Sequence, residues 1–337
     1  MMNTQVLLKR RPQGAPVAED FEAVDNAMPQ INEGQALIKN QYISMDAGFR
    51  NWMDEGAGDD VLPAMALGKP VMGLTVGEVQ ESRHPTLKAG DLVMGRLAWE
   101  RYSIASDDFL VVLETHEQNV PTHYHLGILG DTGMSAYFGL TDIGQPAANE
   151  TVLISAAGGA VGYVAGQIAK IMGAARVVGL TSSDAKGERL KAELGYDDFI
   201  NYRQPNLEAA FQSACPEGID VYFDNVGGPI LETVLNHINV AARIPFCGAV
   251  ADYSNPRPVG PPNLFQIVTN SVRLQGFMTH LQVSRYPEAR AQLMTWLNQG
   301  QLSSVTQEYA GVSQCGTAFA DLFAGKNFGK TIVAVDH

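Results

Sequence analysis

The feature that most constrains the fold of this chain is the run TVLISAAGGAVGYVAGQIAK at residues 151–170. Its apolar start predicts a buried strand, and the apolar residues at helical spacing near its end predict a helix. Between them, Ala157, Gly159 and Gly162 form the pattern A-x-G-x-x-G. In such a turn one glycine lets the backbone approach a pyrophosphate at the helix N-terminus, and the last glycine lets the helix pack closely on the strand. The run therefore predicts a dinucleotide site; the alternative is a turn whose glycines serve packing alone.

Strand and helix signals alternate along the residues that follow. The strand-like runs are ARVVGL, DDFINY, GIDVYFD, ARIPFCGAV and SVRLQGF, and the helix-like runs between them include DAKGERLKAELG, NLEAAFQSA and ILETVLNHI. This alternation predicts an α/β fold, a doubly wound parallel sheet of the Rossmann type with helices on both faces.

The chain outside this region has a different pattern. Its first 120 residues contain short strand-like runs separated by Gly, Pro and Asp, which predict a β-rich, barrel-like antiparallel domain. The tail runs VTQEYAGV and GKTIVAVDH predict two more strands, which we expect to return to the first domain. The predicted domains are therefore 1–124 together with 302–337, and 125–301 inserted between them.

Composition and charge limit the classes of function. The chain has 23 Lys and Arg against 36 Asp and Glu, and a net charge of −13 argues against nucleic acids and anionic membranes as partners. The uncharged run Thr151–Ala169 has about the length of a membrane span, but glycines interrupt it, so no membrane segment is predicted. Cys215, Cys247 and Cys315 are far apart and suggest no disulfide framework. Because the start of the chain also has no signal-like apolar run, we expect a cytoplasmic protein.

The residues after the second strand of the α/β unit indicate which dinucleotide binds. An NAD site usually places Asp or Glu there to hold the ribose hydroxyls. This chain has Ser182 between two other hydroxyl residues, followed by Asp184, which we expect to cap a helix beginning at Ala185. Lys186 comes next, and a lysine with hydroxyl groups suits the 2′-phosphate that NADP carries and NAD lacks.

Two further residues support this preference. Tyr202 and Arg203 follow the next predicted strand and would add a ring and a second cation beside the phosphate. The alternative is that Lys186 is a solvated residue of its helix. The pattern favours NADP(H) over NAD(H) as the cofactor.

Five motifs together resemble one known family. SAAGGAVGYVAGQIAK, GDTGMSAYFGL, YFDNVGG, FCGAVADY and KNFGKTIV are similar to the medium-chain dehydrogenase/reductase superfamily, and more closely to its zinc-free branch of prostaglandin reductases, leukotriene hydroxydehydrogenases, plant alkenal double-bond reductases and bacterial curcumin reductases. The resemblance runs from about Val6 to Val335, with the motifs in the family's order. It implies a GroES-like first domain, an inserted Rossmann domain, and a homodimer formed through the edge strand SVRLQGF.

The resemblance also implies contacts with NADP(H) at matching positions. Besides Gly159 and Ser182, which the residue pattern already suggests, the implied cofactor-binding residues are Ala160, Val161 and Gly162 in the pyrophosphate loop, Lys186 and Tyr202 at the 2′-phosphate, Asn225, Cys247, Gly248 and Tyr253 along the crevice, Phe277, Met278 and Thr279 at the carboxamide, and Asn327 from the returning tail.

The expected substrate-binding residues come from two places. Many relatives read DPYMR or DPAMR where this chain reads DAGFR at residues 46–50, so Phe49 and Arg50 are the candidates there, with Trp52 and Phe49 filling the space of the missing aromatic residue. The third candidate is Tyr253, which is also the expected catalytic residue.

The sequence lacks the residues that bind zinc in the zinc-dependent relatives. Zinc-dependent relatives carry a GHE motif and a cysteine in the first domain, whereas this chain reads GLTVGEV and has no cysteine before Cys215. His123 and His125 could share one face of a strand, but no thiolate or third histidine is near them in sequence. We therefore predict no metal site.

The resemblance implies NADPH-dependent reduction of the C=C bond of α,β-unsaturated aldehydes or ketones, small molecules that receive a hydride at the β-carbon. Tyr253 and the cofactor ribose would stabilise the enolate oxygen, and the α-carbon proton would come from Tyr253 or from water; the alternative for Tyr253 is packing on the cofactor. Two other functions remain open, an NADPH quinone oxidoreductase and a non-catalytic NADPH-binding protein.

Overall fold

The structure, a computed structural model, describes residues 2–59, 62–106, 110–113, 119–255 and 257–336. Contacts within the chain divide it into two compact units. The first unit comprises residues 1–127, 306–327 and 331–337, and the second comprises 128–305 and 328–330.

The second unit is built on a six-stranded parallel sheet. Its strands are β8 (Thr151–Ile154), β9 (Arg176–Thr181), β10 (Asp198–Asn201), β11 (Ile219–Phe223), β12 (Ile238–Phe246) and β13 (Arg273–Gly276). Their spatial order is β10-β9-β8-β11-β12-β13, and every pair is parallel. This is the order of the Rossmann fold, with the direction of winding reversing between β8 and β11. The predicted doubly wound sheet is confirmed.

Helices follow these strands, and all of them except the short α6 were predicted. They are α2 (Gly162–Ile171), α3 (Asp184–Leu194), α4 (Leu207–Ala214), α5 (Gly228–Leu235), α6 (Phe265–Thr269) and α7 (Tyr286–Asn298), and α1 (Asp131–Phe138) precedes the sheet and continues into a π-helix (Gly139–Gly144). The uncharged run 151–169 is thus a strand, a turn and a helix. No helix of the described residues is long and apolar enough to cross a membrane.

Burial explains why these strands were readable in the sequence. A parallel sheet covered on both faces needs strands that are apolar throughout, and Val152, Leu153 and Ile154 of β8 are fully buried. The edge strand β13 differs, because all four of its residues are exposed.

One helix boundary differs from the prediction. Ser183 caps α3, because its side chain accepts a hydrogen bond from the Lys186 N–H at 3.4 Å, and Asp184 is the first helical residue. The prediction of Asp184 as the cap was wrong by one position, since serine and aspartate cap helices about equally well. The Asp184 carboxylate instead accepts a hydrogen bond from the Asn201 amide at 3.0 Å.

The first unit is antiparallel. Its main sheet has the order β14-β15-β3-β4-β5-β7, and β6 pairs with β3. The strands of the unit are β1 (Met2–Leu8), β2 (Phe21–Ala27), β3 (Ala36–Ser44), β4 (Met72–Ser82), β5 (Leu92–Ala98), β6 (Tyr102–Ala105), β7 (Leu110–Val112), β14 (Thr306–Ala310) and β15 (Lys330–Ala334), and its helix is α8 (Cys315–Phe323). The predicted β-rich domain is confirmed.

Aromatic packing around one tryptophan forms part of the core of the first unit. The buried Trp99 ring lies 5.3 Å from the Phe21 ring and 5.4 Å from the Phe319 ring of α8. Phe21 begins β2, a strand that was not predicted from the sequence. Most of β2 is exposed, so its sequence lacks the alternation of apolar and polar residues that marks a half-buried strand.

Candidate functional site

The turn between β8 and α2 uses its two key glycines differently. A Cβ on Gly162 would lie 2.3 Å from the Ala156 carbonyl oxygen and 2.6 Å from the Ala157 Cα, so only glycine fits. A Cβ on Gly159 would be less crowded, with the Ala156 oxygen nearest at 3.1 Å. The start of α2 therefore packs closely on the backbone of the turn at Gly162, where only glycine fits, whereas position 159 is less crowded.

The backbone of this turn can bind an anion. The Gly159 N–H closes the turn on the Ala156 oxygen at 2.8 Å. The N–H groups of Ala160, Val161 and Gly162 follow at the start of α2, where a helix has no acceptors of its own. Together with the positive end of the helix dipole, they make a fitting site for a pyrophosphate.

A glycine on the neighbouring strand makes room for the alanine in the first position of the glycine pattern. Ala157 is fully buried, and its Cβ lies 2.9 Å from where a Cβ on Gly179 would stand. Because position 179 on β9 is glycine, the extra methyl group of Ala157 fits.

A pair of cations lies beside this turn. Burial, and then the nearby Arg203, lower the pKa of Lys186. The Lys186 Cδ lies 3.6 Å from the position of a Cβ on Gly158, which puts the side chain against the turn. Among the described residues, no ion pair joins Lys186 or Arg203 to a carboxylate. Two neighbouring cations without an ion-pair partner among the described residues are suited to bind a phosphate dianion.

The other residues predicted for the 2′-phosphate site lie near Lys186 and Arg203 in the fold. Tyr202 follows β10, its N–H donates to the Thr181 oxygen at 3.0 Å, and its ring lies 5.9 Å from the Arg203 guanidinium. Ser182 is half-buried and directly precedes the cap of α3. The ends of β9 and β10 therefore bring Ser182, Lys186, Tyr202 and Arg203 to one edge of the sheet.

A buried carboxylate holds the point where the sheet winding reverses. Asp224 is fully buried, and its Oδ1 accepts hydrogen bonds from Ser155 Oγ (3.1 Å), the Tyr222 hydroxyl (2.8 Å), and the N–H groups of Val226 and Gly227 (2.9 Å each). Burial raises the pKa of Asp224, while these hydrogen bonds oppose the rise. Asp224 was not among the predicted site residues, although an aspartate directly after an apolar strand was a signal for it.

Asn225 joins the same network. Its side-chain amide donates to the Ser155 carbonyl at 2.8 Å, and its N–H donates to Ser155 Oγ at 2.8 Å. Asn225 therefore ties the end of β11 to the end of β8, at the crevice where a parallel sheet of this topology binds its ligand.

The loop after β12 carries Tyr253. Its hydroxyl accepts a hydrogen bond from the Ala249 N–H at 3.4 Å, which leaves the phenolic proton for another acceptor. Burial is the main cause that raises the pKa of Tyr253, so the phenol is protonated at neutral pH. A Cβ on Gly248 would lie 2.9 Å from this hydroxyl, so the position of Tyr253 depends on glycine at 248.

Cys247 begins the same loop. Its N–H donates to the Asp224 carbonyl at 2.8 Å, which fixes the loop to β11. Burial and the nearby Asp131 raise the pKa of the Cys247 thiol to about 12.

Residues 277–279 directly follow the edge strand β13. The Phe277 ring packs edge-on against the Phe223 ring, with centroids 6.4 Å apart. Met278 is half-exposed, and Thr279 is buried with its hydroxyl donating to an Asp131 carboxylate oxygen. The Thr279 side chain is thus already committed to a protein partner.

The predicted residues of the first unit are buried within it. The Phe49 ring lies 5.8 Å from the Trp52 ring in the core of that unit. The Arg50 guanidinium binds the Asp54 carboxylate at 2.9 Å and donates to the Pro12 carbonyl at 3.2 Å. Asn327 is also buried. Packing and chain fixation account for the burial of Phe49 and Arg50, and their contact with substrate stays a prediction.

The two histidines considered as metal ligands have other surroundings. His123 lies between the rings of Tyr42 and Tyr124, at 5.4 and 5.1 Å, and burial lowers its pKa. His125 is fully buried. The part of the chain that the structure describes contains no group of three or more His, Cys, Asp or Glu residues placed to hold a metal ion.

The fold and these sites define a dinucleotide-binding Rossmann unit in one chain with an antiparallel β unit. Family models agree with this description: "N-terminal domain of oxidoreductase" matches residues 4–113, and "Zinc-binding dehydrogenase" matches residues 160–296. The chain belongs to the medium-chain dehydrogenase/reductase superfamily, in the branch that resembles alkenal reductases.

Three relatives illustrate the similarity. The chain is 36% identical to the 2-alkenal reductase (NADP(+)-dependent) of Nicotiana tabacum over 337 residues, covering 99% of this chain and 97% of that one. It is 36% identical to the NADPH-dependent curcumin reductase of Escherichia coli over 339 residues, with the same coverage. The crystal structure of CurA from Vibrio vulnificus in complex with NADPH superposes with a TM-score of 0.91 at 32% identity, covering 99% of both chains.

The different crowding at Gly159 and Gly162 can be tested by measuring the stability of alanine variants. Alanine is the better helix former, yet Gly162→Ala should lower the free energy of unfolding by roughly 3 kcal/mol or more, because its Cβ collides with backbone atoms. Gly159→Ala should lower it by less than about 1 kcal/mol. Urea unfolding of both variants measures the difference, and equal stabilities would contradict the packing role of Gly162.

Proposed function

We propose that this protein is an NADPH-dependent reductase of the C=C bond of α,β-unsaturated aldehydes and ketones. The observation that carries the proposal is a protonated, half-buried Tyr253 in the same α/β unit as the anion-binding turn and the cations Lys186 and Arg203. The names of the tobacco and E. coli relatives, a 2-alkenal reductase and a curcumin reductase, support the same class of substrate.

The residues of the turn and its neighbours fit NADPH. The N–H groups of Ala160, Val161 and Gly162 would bind the pyrophosphate, which leaves Gly159 as the point where the backbone approaches it most closely. Lys186 and Arg203, with the Ser182 hydroxyl and the Tyr202 ring, would hold the 2′-phosphate. Asn225, Cys247, Gly248, Phe277, Met278, Thr279 and Asn327 complete the proposed set of cofactor contacts.

Tyr253 is the proposed donor to the substrate carbonyl oxygen. When bound, NADPH supplies a hydride to the β-carbon of the substrate. A neutral phenol that donates to the oxygen stabilises the negative charge that develops there. Because burial raises its pKa, Tyr253 keeps the proton that it needs for this role up to alkaline pH. Phe49 and Arg50 remain proposed substrate contacts from the first unit.

Lys186 provides a test of cofactor choice. Lys186→Ala removes one cation from the proposed 2′-phosphate site, so KM for NADPH should rise about 10- to 100-fold while KM for NADH stays nearly unchanged. Steady-state kinetics with both cofactors measures this. Lys191→Ala, an exposed lysine of the same helix, is the matched control. Equal losses with both cofactors would contradict the phosphate role.

Tyr253 provides a test of the chemistry. Tyr253→Phe keeps the ring and removes one donor to the developing enolate, so kcat should fall about 10- to 100-fold with little change in KM for NADPH. We expect less than the full effect of losing an oxyanion donor, because the cofactor ribose hydroxyl remains. Tyr309→Phe removes a hydroxyl that bonds to Asp321 elsewhere and should leave kcat unchanged. An unchanged kcat in Tyr253→Phe with weaker NADPH binding would instead make Tyr253 a cofactor-packing residue.

A substrate screen tests the function and the absence of a metal requirement together. After dialysis against a chelator, NADPH oxidation should remain fast with alkenals, enones and aryl enones and be slower with quinones. The absence of a three-residue ligand group among the described residues supports metal independence. Faster turnover of quinones than of enones would favour a quinone oxidoreductase. Binding of NADPH without turnover of any substrate would favour a non-catalytic binding protein. Activity that is lost on chelation and restored by zinc would contradict metal independence.

We also propose a homodimer formed along β13. Leu274 on this edge strand and Phe265 and Val268 on α6 are exposed apolar residues, and an open apolar edge is a site for pairing with another chain. Light scattering at micromolar concentration should give twice the chain mass, and Leu274→Lys should shift it toward the monomer. A wild-type monomer would contradict the proposal.

A further inference from the structure

The segment between β13 and α7 is fixed at two points to one helical element. Its start is bound by Thr279, whose hydroxyl donates to the Asp131 carboxylate at the beginning of α1. Its end is bound by Arg285, whose guanidinium contacts both carboxylate oxygens of Asp142 in the π-helix, at 2.6 and 3.0 Å. Between these points Leu281 and other apolar residues are exposed. Two carboxylates therefore hold a segment whose middle makes little contact with the core.

Asp131 collects more than one donor. The same Oδ1 that binds Thr279 also accepts from the Tyr286 hydroxyl at 3.1 Å, and the Asp131 carbonyl accepts from Ser135 Oγ at 2.9 Å. Asp131 itself is exposed, whereas Thr279 is only 9% exposed. Hydrogen bonds to a charged acceptor are the stronger kind, so this carboxylate helps to fix both Thr279 and the first residue of α7, Tyr286.

The contact between Thr279 and Asp131 limits what the segment can offer a ligand. A threonine hydroxyl has a single proton, and here it goes to Asp131. With that proton committed to Asp131, the peptide N–H groups are the donors that residues 277–279 can offer a cofactor. A peptide N–H points in a direction that the backbone fixes. It can therefore bind a cofactor well only if the backbone of residues 277–279 is held in place.

We propose that Asp131 is a positioning residue for the nicotinamide end of the cofactor, acting through Thr279 on the segment 277–279. This inference rests on the proposed function, in which that segment contacts the carboxamide. Asp131 itself touches no reacting atom in this proposal. Its carboxylate sets the position of the peptide groups that do the binding.

The test compares two ligands that differ in the nicotinamide. Binding of NADPH and of adenosine 2′,5′-bisphosphate, which lacks the nicotinamide half, is measured by calorimetry on the full chain. Asp131→Ala and Thr279→Val should each weaken NADPH binding about 10-fold, the effect of losing one hydrogen bond to a charged group, and should change binding of the bisphosphate by less than about 2-fold. Thr279→Ser keeps the hydroxyl and should bind NADPH like the wild type.

Asp142→Ala is the matched control, because it releases the other end of the same segment. It should leave the affinity for NADPH within about 2-fold of the wild type. Equal weakening of both ligands in Asp131→Ala, no weakening of either, or an equal loss of NADPH affinity in Asp142→Ala would each overturn the inference. Failure of the wild type to bind NADPH would contradict the proposed function instead, so the two failures are distinguishable.

Discussion

The hydrogen bonds of the Asp224 carboxylate are the interaction on which the rest of the α/β unit's ligand crevice depends. Its side chain binds Ser155 at the end of β8 and two N–H groups before α5, while its carbonyl accepts from the Cys247 and Gly248 N–H groups after β12. Burying a carboxylate is costly, and donors grouped around one oxygen offset that cost. A single residue therefore fixes three loops relative to one another, which a crevice made of separate loops requires.

The course of the α/β fold was readable because its signals are local. A central parallel strand such as β8 is buried on both faces, so its sequence is apolar, and a helix such as α2 has its own periodic apolar residues. Where burial was partial the prediction failed, as for β2, whose outer residues carry no alternating pattern. The one-residue error at Ser183 has a similar origin, because two adjacent residues could both cap α3 and only the backbone conformation decides between them.

The residues of the candidate site also differ in whether local sequence was enough to predict them. The proposed roles of Gly162 and Lys186 rest on short motifs, since a turn and the ends of neighbouring strands place nearby residues together. The partner of Thr279 could not be predicted, because Asp131 lies 148 positions away in the chain and the contact exists only after α1 and β13 have packed. Asp224 was visible in the sequence as a polar residue after a strand, but its network requires the three-dimensional arrangement of three loops.

The high pKa of Cys247 has a consequence for the chemistry of the crevice. Enones and alkenals are electrophiles that add to thiolates, and the thiolate rather than the thiol is the nucleophilic form of cysteine. A thiol whose pKa is raised to about 12 holds its proton at neutral pH, so almost none of it is nucleophilic. Burial and the carboxylate of Asp131 thus give this loop a sulfur atom that resists alkylation by the compounds the protein is proposed to reduce.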